Sequence, residues 1–342
     1  MKIVVRGTNW IGDAIMTVPA LRQLRQVFPE AHISLHTGSW AYGIFRDVDF
    51  IDEILRFDNG STALQMVRSQ ARLWHKKQFD LAILLTNSFQ TALLSKLGGV
   101  KTRFGYRNEG RSFLLTNPVA KPTWRSEKHE VFYYLNLVAA VEDSFFGTRE
   151  SFEIEPDNSL SVSDERKDRA RKTLRQSGVD LSRSIVALGV GSTNSLAKRW
   201  TPEGYAALND KIQEEIGANV ILIGSEGELD VSQLVFDLSK VKPVVLTGKT
   251  SLEEVVAMLS ELDLLVSNDM GLAHVSSAVG TNTVTIFGPT DPKTTAPWHS
   301  EIIVRNDVEC APCMLRNCPI DHPCMKLILP NEVFERAKKF LN

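Results

Sequence analysis

Apolar positions along this chain fall into two alternating kinds of run. Short blocks of aliphatic and β-branched residues at 2–6, 32–37, 53–57, 81–86 and 103–106 read as strands. Longer stretches carry apolar residues at helical spacing, as with Ile15, Val18, Leu21, Leu24 and Val27 over 14–27. Further helices are expected at about 63–77, 89–97 and 127–142. Strands that are apolar throughout are buried on both faces, so this alternation predicts a parallel sheet covered by helices on either side. The pattern lapses over 150–164, a polar stretch with Pro and Ser that reads as a linker. It resumes with a helix at about 164–177 and strands at 185–190, 220–223, 244–247, 264–267 and 283–287. Helices are expected near 202–216, 227–239, 251–260 and 270–279, the first opened by Thr201 as cap and Pro202 as first helical residue. The expectation is an α/β protein with two Rossmann-like βα domains, 1–155 and 156–330, followed by a C-terminal helix at 331–342. Two such domains would face each other across a cleft at the carboxyl ends of their strands, where ligands of this architecture bind.

Composition narrows the function classes. The chain has 342 residues, 43% hydrophobic and 23% charged, with a net charge of -2. No overall basic excess points to nucleic acid. No apolar run approaches the length of about 18 residues that a membrane span needs. The start, Met1-Lys2-Ile3-Val4-Val5-Arg6, lacks the apolar stretch and cleavage site of a secretory leader, so a cytoplasmic protein is expected. Charge is unevenly spread: residues 1–150 hold 19 Lys and Arg against 14 Asp and Glu, and 151–342 hold 20 against 27. Eight of the basic residues lie within 95–128 (Lys96, Lys101, Arg103, Arg107, Arg111, Lys121, Arg125, Lys128), with Glu109 and Glu127 among them. That segment is either a solvated face or a surface for an anionic partner such as a phosphorylated glycolipid or a membrane.

Candidate chemistry lies in the turns that follow strands. The first reads Gly7-Thr8-Asn9-Trp10-Ile11-Gly12-Asp13. It is not GxGxxG, which occurs nowhere in the chain, and that weakens any dinucleotide reading. Asp13 is either a helix cap or a carboxylate placed to take a proton from an attacking hydroxyl. The second turn, Gly189-Val190-Gly191-Ser192-Thr193-Asn194, leads to Lys198-Arg199-Trp200. Glycines and small hydroxyl residues let backbone amides approach a phosphate, and Lys198 would neutralise charge building on a diphosphate leaving group. The alternative is an ordinary loop with a surface basic pair. After another strand, Glu226 of Gly224-Ser225-Glu226-Gly227-Glu228 is either a ribose-diol acceptor or a helix cap. Ser267-Asn268-Asp269-Met270-Gly271-Leu272-Ala273-His274 follows an apolar strand and opens a helix, whose terminal amides and dipole suit a phosphate. His274, alone, reads more often as a packed core residue.

All four cysteines fall in fifteen residues, Cys310, Cys313, Cys318 and Cys324. The C-x2-C start favours a Zn or Fe–S site, but the later spacings form no second knuckle, so reduced thiols or a labile disulfide stay open.

The ordered set Gly12-Asp13, Ala197-Lys198-Arg199-Trp200, Ser267 to His274 and Phe287-Gly288-Pro289-Thr290 resembles glycosyltransferase family 9, the ADP-heptose:lipopolysaccharide heptosyltransferases. The Lys-Arg-Trp form is most similar to the heptosyltransferase II branch. The resemblance covers nearly the whole chain and implies a GT-B fold. It further implies inverting transfer of L-glycero-D-manno-heptose from ADP-heptose to the inner-core oligosaccharide on lipid A, with peripheral contact at the cytoplasmic face of the inner membrane. Carried over by motif, Asp13 beside Gly12 is the base and Lys198 meets the diphosphate, helped by Ser192 or Thr193. Glu226 then holds the ribose, while Asp269, Met270, Gly271 and His274 line the sugar and phosphate site. No cofactor is implied, with magnesium at most a stimulant. Met270 departs from the pattern, since Ser or Thr is usual there and only the backbone amide of Met270 can serve phosphate. The competing readings are a GT-B transferase or 2-epimerase for another nucleotide sugar, and a non-catalytic nucleotide-binding module.

Overall fold

The computed structural model describes residues 1–58, 62–108, 110–193, 195–304 and 307–341; Glu109 and Asn194 of the segments above lie outside them. The chain divides into two compact units, Met1–Asn158 and Ser159–Asn342, each built on its own sheet.

In the first unit the strands are β1 (Lys2–Arg6), β2 (His32–Gly38), β3 (Glu53–Phe57), β4 (Leu81–Leu84), β5 (Thr102–Tyr106) and β6 (Asn117–Val119). All pair in parallel in the order β3-β2-β1-β4-β5-β6. The apolar blocks drive this arrangement: Ile3, Val4, Val5, Ile33, Leu35, Leu81, Ala82 and Ile83 are all buried in the sheet. β6 was not legible in the pattern; it has three residues and contains Pro118, which suits an edge strand because proline donates nothing to a ladder. The single helix expected over 14–27 is two helices, Ile11–Met16 and Val18–Val27, jointed at Thr17. Pro19 sits in the first turn of the second and has no N–H to return to the preceding turn. The Thr17 hydroxyl donates instead to the Ala14 carbonyl at 2.6 Å. The helix expected over 127–142 runs Glu130–Phe146 and is closed by Gly147 at φ 74, a left-handed cap that glycine takes without strain.

The stretch over 150–164 holds one helical turn, Glu150–Glu153, and then runs without regular structure to Ser163. The turn is anchored by buried Glu142, whose carboxylate accepts from the amides of Glu150 (3.0 Å) and Ser151 (2.9 Å) and from the Thr148 hydroxyl (2.6 Å).

The second unit repeats the architecture with β7 (Ile185–Gly189), β8 (Asn219–Leu222), β9 (Val244–Val245), β10 (Leu264–Asn268), β11 (Asn282–Phe287) and β12 (Glu301–Val304). The order is β12-β11-β10-β7-β8-β9, again parallel. Strand order therefore reverses between β7 and β10, and between β1 and β4 in the first unit. At such a switch the loops leave in opposite directions and open a crevice beyond the carboxyl ends. Trp200, Tyr205, Val266, Ile286 and Met325 share the core with Val333, Phe334 and Ala337 of the terminal helix Pro330–Lys338. That helix is thus built into the second unit.

Candidate active site

The loops that leave β7 and β10 carry most of the residues singled out in the second unit. Lys198 ends a short 3-10 turn, Leu196–Lys198, and its Nζ reaches Asp269 Oδ2 at 2.5 Å. Asp269 is 6% exposed. The same oxygen accepts from the Thr290 hydroxyl at 2.7 Å, in the turn that follows β11. One carboxylate thus ties together loops from three neighbouring strands. Asn268, the last residue of β10, holds the frame: its Oδ1 accepts from the Trp200 amide (2.8 Å) and its Nδ2 donates to the carbonyls of Val190 and Gly191 (both 3.0 Å). Asn268 and Thr290 lie within the sequence motifs, but their partners do not follow from those motifs. Their partners are 68 and 21 residues away, a pairing that no local pattern reveals.

Helix Gly271–Ala278 begins beside this group. Its cap residue, Met270, is extended (φ -143, ψ 165) and offers no side-chain hydrogen bond. A Ser, Thr or Asp there would accept from the first amides; the methionine side chain does not. Met270 also closes on β7, since a Cβ on Gly189 would lie 3.1 Å from its sulfur and 2.7 Å from Ser267 Cβ. His274 is buried on the first turns of this helix, 5% exposed.

Ser192 is buried, and its carbonyl accepts from Arg199 Nε (3.3 Å) and Nη2 (3.2 Å), so Arg199 braces the loop. Thr193 Oγ1 lies 3.4 Å from Glu228 Oε1 and 3.4 Å from Ser225 Oγ. Glu226 opens the turn Glu226–Glu228 with its side chain exposed, whereas Glu228 is 2% exposed. The Glu228 carboxylate accepts from Ser225 N (2.7 Å) and Ser225 Oγ (2.9 Å). It occupies the space that a side chain on Gly191 would need, and a Cβ on Gly224 would lie 2.8 Å from its Oε2. These two glycines let one buried acid join the loops after β7 and β8. Along the sequence Glu226 and Glu228 sit at the same strand end, and only packing separates the exposed acid from the buried one.

In the first unit Gly12 and Asp13 lie in the first turn of helix Ile11–Met16. Trp10 is the cap, so the helix-cap reading of Asp13 does not hold. Asp13 is half-buried, and its charge, after burial itself, helps push the Tyr134 hydroxyl well above its ordinary range. The basic segment is mixed. Arg111 is fully buried and donates to the carbonyls of Tyr106 (2.9 Å), Thr86 (2.6 Å) and Ser88 (3.2 Å). Arg103 Nε donates to the Leu114 carbonyl at 2.8 Å and Arg125 pairs with Glu130 at 2.7 Å, while Lys96, Lys101, Arg107, Lys121 and Lys128 are exposed.

Cys310, Cys313, Cys318 and Cys324 are free thiols. Burial first, then the neighbouring Cys310, Cys318 and Cys313, push the Cys324 thiol up. Among the described residues no group of three or more His, Cys, Asp or Glu side chains is arranged to hold a metal ion. Among the described residues no helix is long and apolar enough to cross a membrane.

Comparison with known proteins points one way. The sequence profile described as glycosyltransferase family 9 (heptosyltransferase) matches residues 67–323. The chain is 25% identical over 350 residues to a lipooligosaccharide heptosyltransferase 2 of Campylobacter jejuni serotype O:6, covering 99% of each. It is 27% identical over 318 residues to lipopolysaccharide heptosyltransferase 2 of Escherichia coli K12, covering 89% of this chain and 88% of that one. The solved structure of E. coli ADP-heptose LPS heptosyltransferase II superposes with a TM-score of 0.84 at 25% identity, covering 100% of this chain and 98% of that one.

Proposed function

This chain belongs to glycosyltransferase family 9, the heptosyltransferases, and from that premise we propose that it moves a heptose from ADP-heptose to the inner-core oligosaccharide of lipid A. The supporting observation is the Lys198–Asp269–Thr290 group at the β7/β10 switch beside an uncapped helix N-terminus. It offers one ammonium and a set of free amides at the place where an open α/β sheet takes a nucleotide.

In this reading the donor's diphosphate displaces Asp269 from Lys198 and takes the amides at Met270 and Gly271. Ser192 and Thr193 flank it, and exposed Glu226 accepts from the ribose diol. Glu228, already saturated by Ser225, holds the loop rather than the ligand. Asp269 and His274 line the sugar. Asp13 accepts the proton of the acceptor hydroxyl as its oxygen bonds to the anomeric carbon. The bond from that carbon to the diphosphate breaks with inversion, and ADP leaves carrying the electron pair. Lys198 and the helix dipole stabilise the charge that develops on the departing oxygen, an interaction stronger in the transition state than in the ground state. Asp13 sits in the first turn of helix Ile11–Met16, and its contribution in this scheme is position. No metal is required in this scheme, magnesium being at most a stimulant; EDTA should leave most of the turnover. The exposed lysines of 95–128 and the exposed Phe113 beside Phe89 suit peripheral contact with the cytoplasmic face of the inner membrane, where a lipid-borne acceptor resides.

The test is ADP release by the full chain with ADP-heptose and a lipid A-linked inner-core acceptor. Asp13→Asn should lower kcat by about 10²–10⁴-fold with donor KM little changed. Lys198→Ala should lower kcat and raise donor KM together, because it meets the diphosphate in both states. Near wild-type turnover in Asp13→Asn overturns the base assignment, and equal activity with UDP-sugars overturns the donor.

A further inference from the structure

Among the described residues of the second unit, Asp307 to His322 run without helix or strand. Connections of this length with no structure of their own are uncommon in a compact domain and are usually functional. Core packing does not explain the segment. Val308 and Cys324 at its two ends belong to the core, but Cys310, Met314, Leu315 and Ile320 between them are exposed. Its backbone is held in costly shapes, since Met314 (φ 58), Asp321 (φ 62) and His322 (φ 54) are left-handed without being glycine. Such conformations persist only where surrounding contacts impose them.

Those contacts run to the candidate site. The Arg316 carbonyl accepts from the Ala197 amide (3.1 Å) and from the Ser195 hydroxyl (3.2 Å). The Met314 amide donates to the Pro289 carbonyl at 2.7 Å. Cys324, where the segment closes, lies against Gly288, on which a Cβ would come 3.1 Å from its sulfur. The segment thus spans from the loop after β7 to the turn after β11. Ala197 precedes Lys198, and Pro289 precedes Thr290. Lys198 and Thr290 are the two groups that donate to Asp269 Oδ2. One strap therefore fastens both arms of that group from outside.

Ser195 is the side chain that makes the fastening. It stands at the cap of the turn Leu196–Lys198, extended (φ -156, ψ 106) and buried. A serine at such a position ordinarily turns its oxygen to the amides that follow. Ser195 makes no such bond among the described residues, and its hydroxyl donates to a carbonyl 121 residues away instead. Lys198 has a long, flexible stem, so the place of its ammonium depends on how firmly the turn beneath it is held.

We infer that the segment Asp307–His322 is a strap that positions the donor site, and that Ser195 is the positioning residue through which it sets the Lys198 turn. The inference rests on the transferase reading for the identity of the ligand, a nucleoside diphosphate. Ser195 and the Arg316 carbonyl act through the turn that presents Lys198, without touching that ligand. The same geometry accounts for an irregular, surface-lying segment between β12 and the helix Pro323–Lys326.

The test uses the full chain with ADP as probe, calorimetry for affinity, and amide exchange read by mass spectrometry. In wild type the bonded amides of Ala197 and Met314 should exchange slowly. ADP should slow exchange over 195–200 and over 310–320 together, although the strap meets no phosphate. Slowing over 195–200 alone overturns the inference. Ser195→Ala should speed exchange in both segments. It should also raise the ADP Kd and the donor KM by about fivefold, the scale of one hydrogen bond, with kcat at saturating donor falling less. Ser195→Thr keeps the hydroxyl and should return both constants toward wild type. A serine that serves only the fold would lower the melting temperature in Ser195→Ala without moving the donor KM. That result overturns the inference, as does an equal loss in Ser195→Thr. Should Ser195→Ala fold poorly, the wild-type exchange with and without ADP decides. A wild-type chain that binds no ADP overturns the donor reading, while faster exchange of both segments in Ser195→Ala leaves the fastening of the two loops standing.

Discussion

In the proposed donor site, single side chains decide how a phosphate would be held. Asp269 holds Lys198 on one oxygen and receives the Thr290 hydroxyl on the same oxygen, so it both parks the ammonium and fixes the β11 turn. Asp269→Asn keeps the shape and removes the charge. The diphosphate then no longer competes with a carboxylate for Lys198, so donor KM should fall by about fivefold, against little change in Thr290→Val, as steady-state kinetics would show. Asp13, Lys198 and Asp269 were visible in the sequence because acidic and basic residues followed apolar strand blocks. The role of Glu228 was not visible. It is read only from Gly191 and Gly224, whose missing side chains leave room for its carboxylate.

At the scale of elements, the informative feature is a helix start left uncapped. Helix Gly271–Ala278 follows Met270, whose thioether cannot accept from the first amides. Met270→Asp would supply that acceptor and complement the dipole, worth about 0.5–2 kcal/mol of stability. The same carboxylate would lie where the diphosphate is proposed to bind. A raised melting temperature together with a raised donor KM is therefore expected. A stabilised variant with an unchanged donor KM would remove this helix from the donor site. Element type was largely legible in the hydrophobic period, and element ends were not. The helix expected over 14–27 broke at Thr17 because Pro19 lacks an amide hydrogen, and β6 escaped notice because an edge strand of three residues needs no apolar block.

For the molecule as a whole, pH should act through the first unit's core. His36 is fully buried between Trp74 and Phe57 and its pKa is held at about 3, by burial first and by Arg6 second. The unfolded chain takes up this proton near pH 6.5 and the folded one does not, so between those values the unfolded state binds more protons. Stability is full above about pH 6.5 and declines as pH falls toward 3, by at most about 1.4 kcal/mol per pH unit from this group. Denaturant titrations across that window should show the slope, and His36→Gln should flatten it. An unchanged slope in that variant would place the acid sensitivity elsewhere.

By itself the sequence determined the grammar of strand and helix, two parallel α/β halves, and the family through four ordered motifs, because these depend on local spacing of residue types. Only the tertiary structure decided which charges are structural and which are uncommitted. Arg111 and Arg6 look alike along the chain, yet one saturates backbone carbonyls and the other faces a cavity with its Nε and Nη1 unbonded among the described residues. That difference is set by hydrogen-bond partners distant in sequence, and no periodicity encodes them.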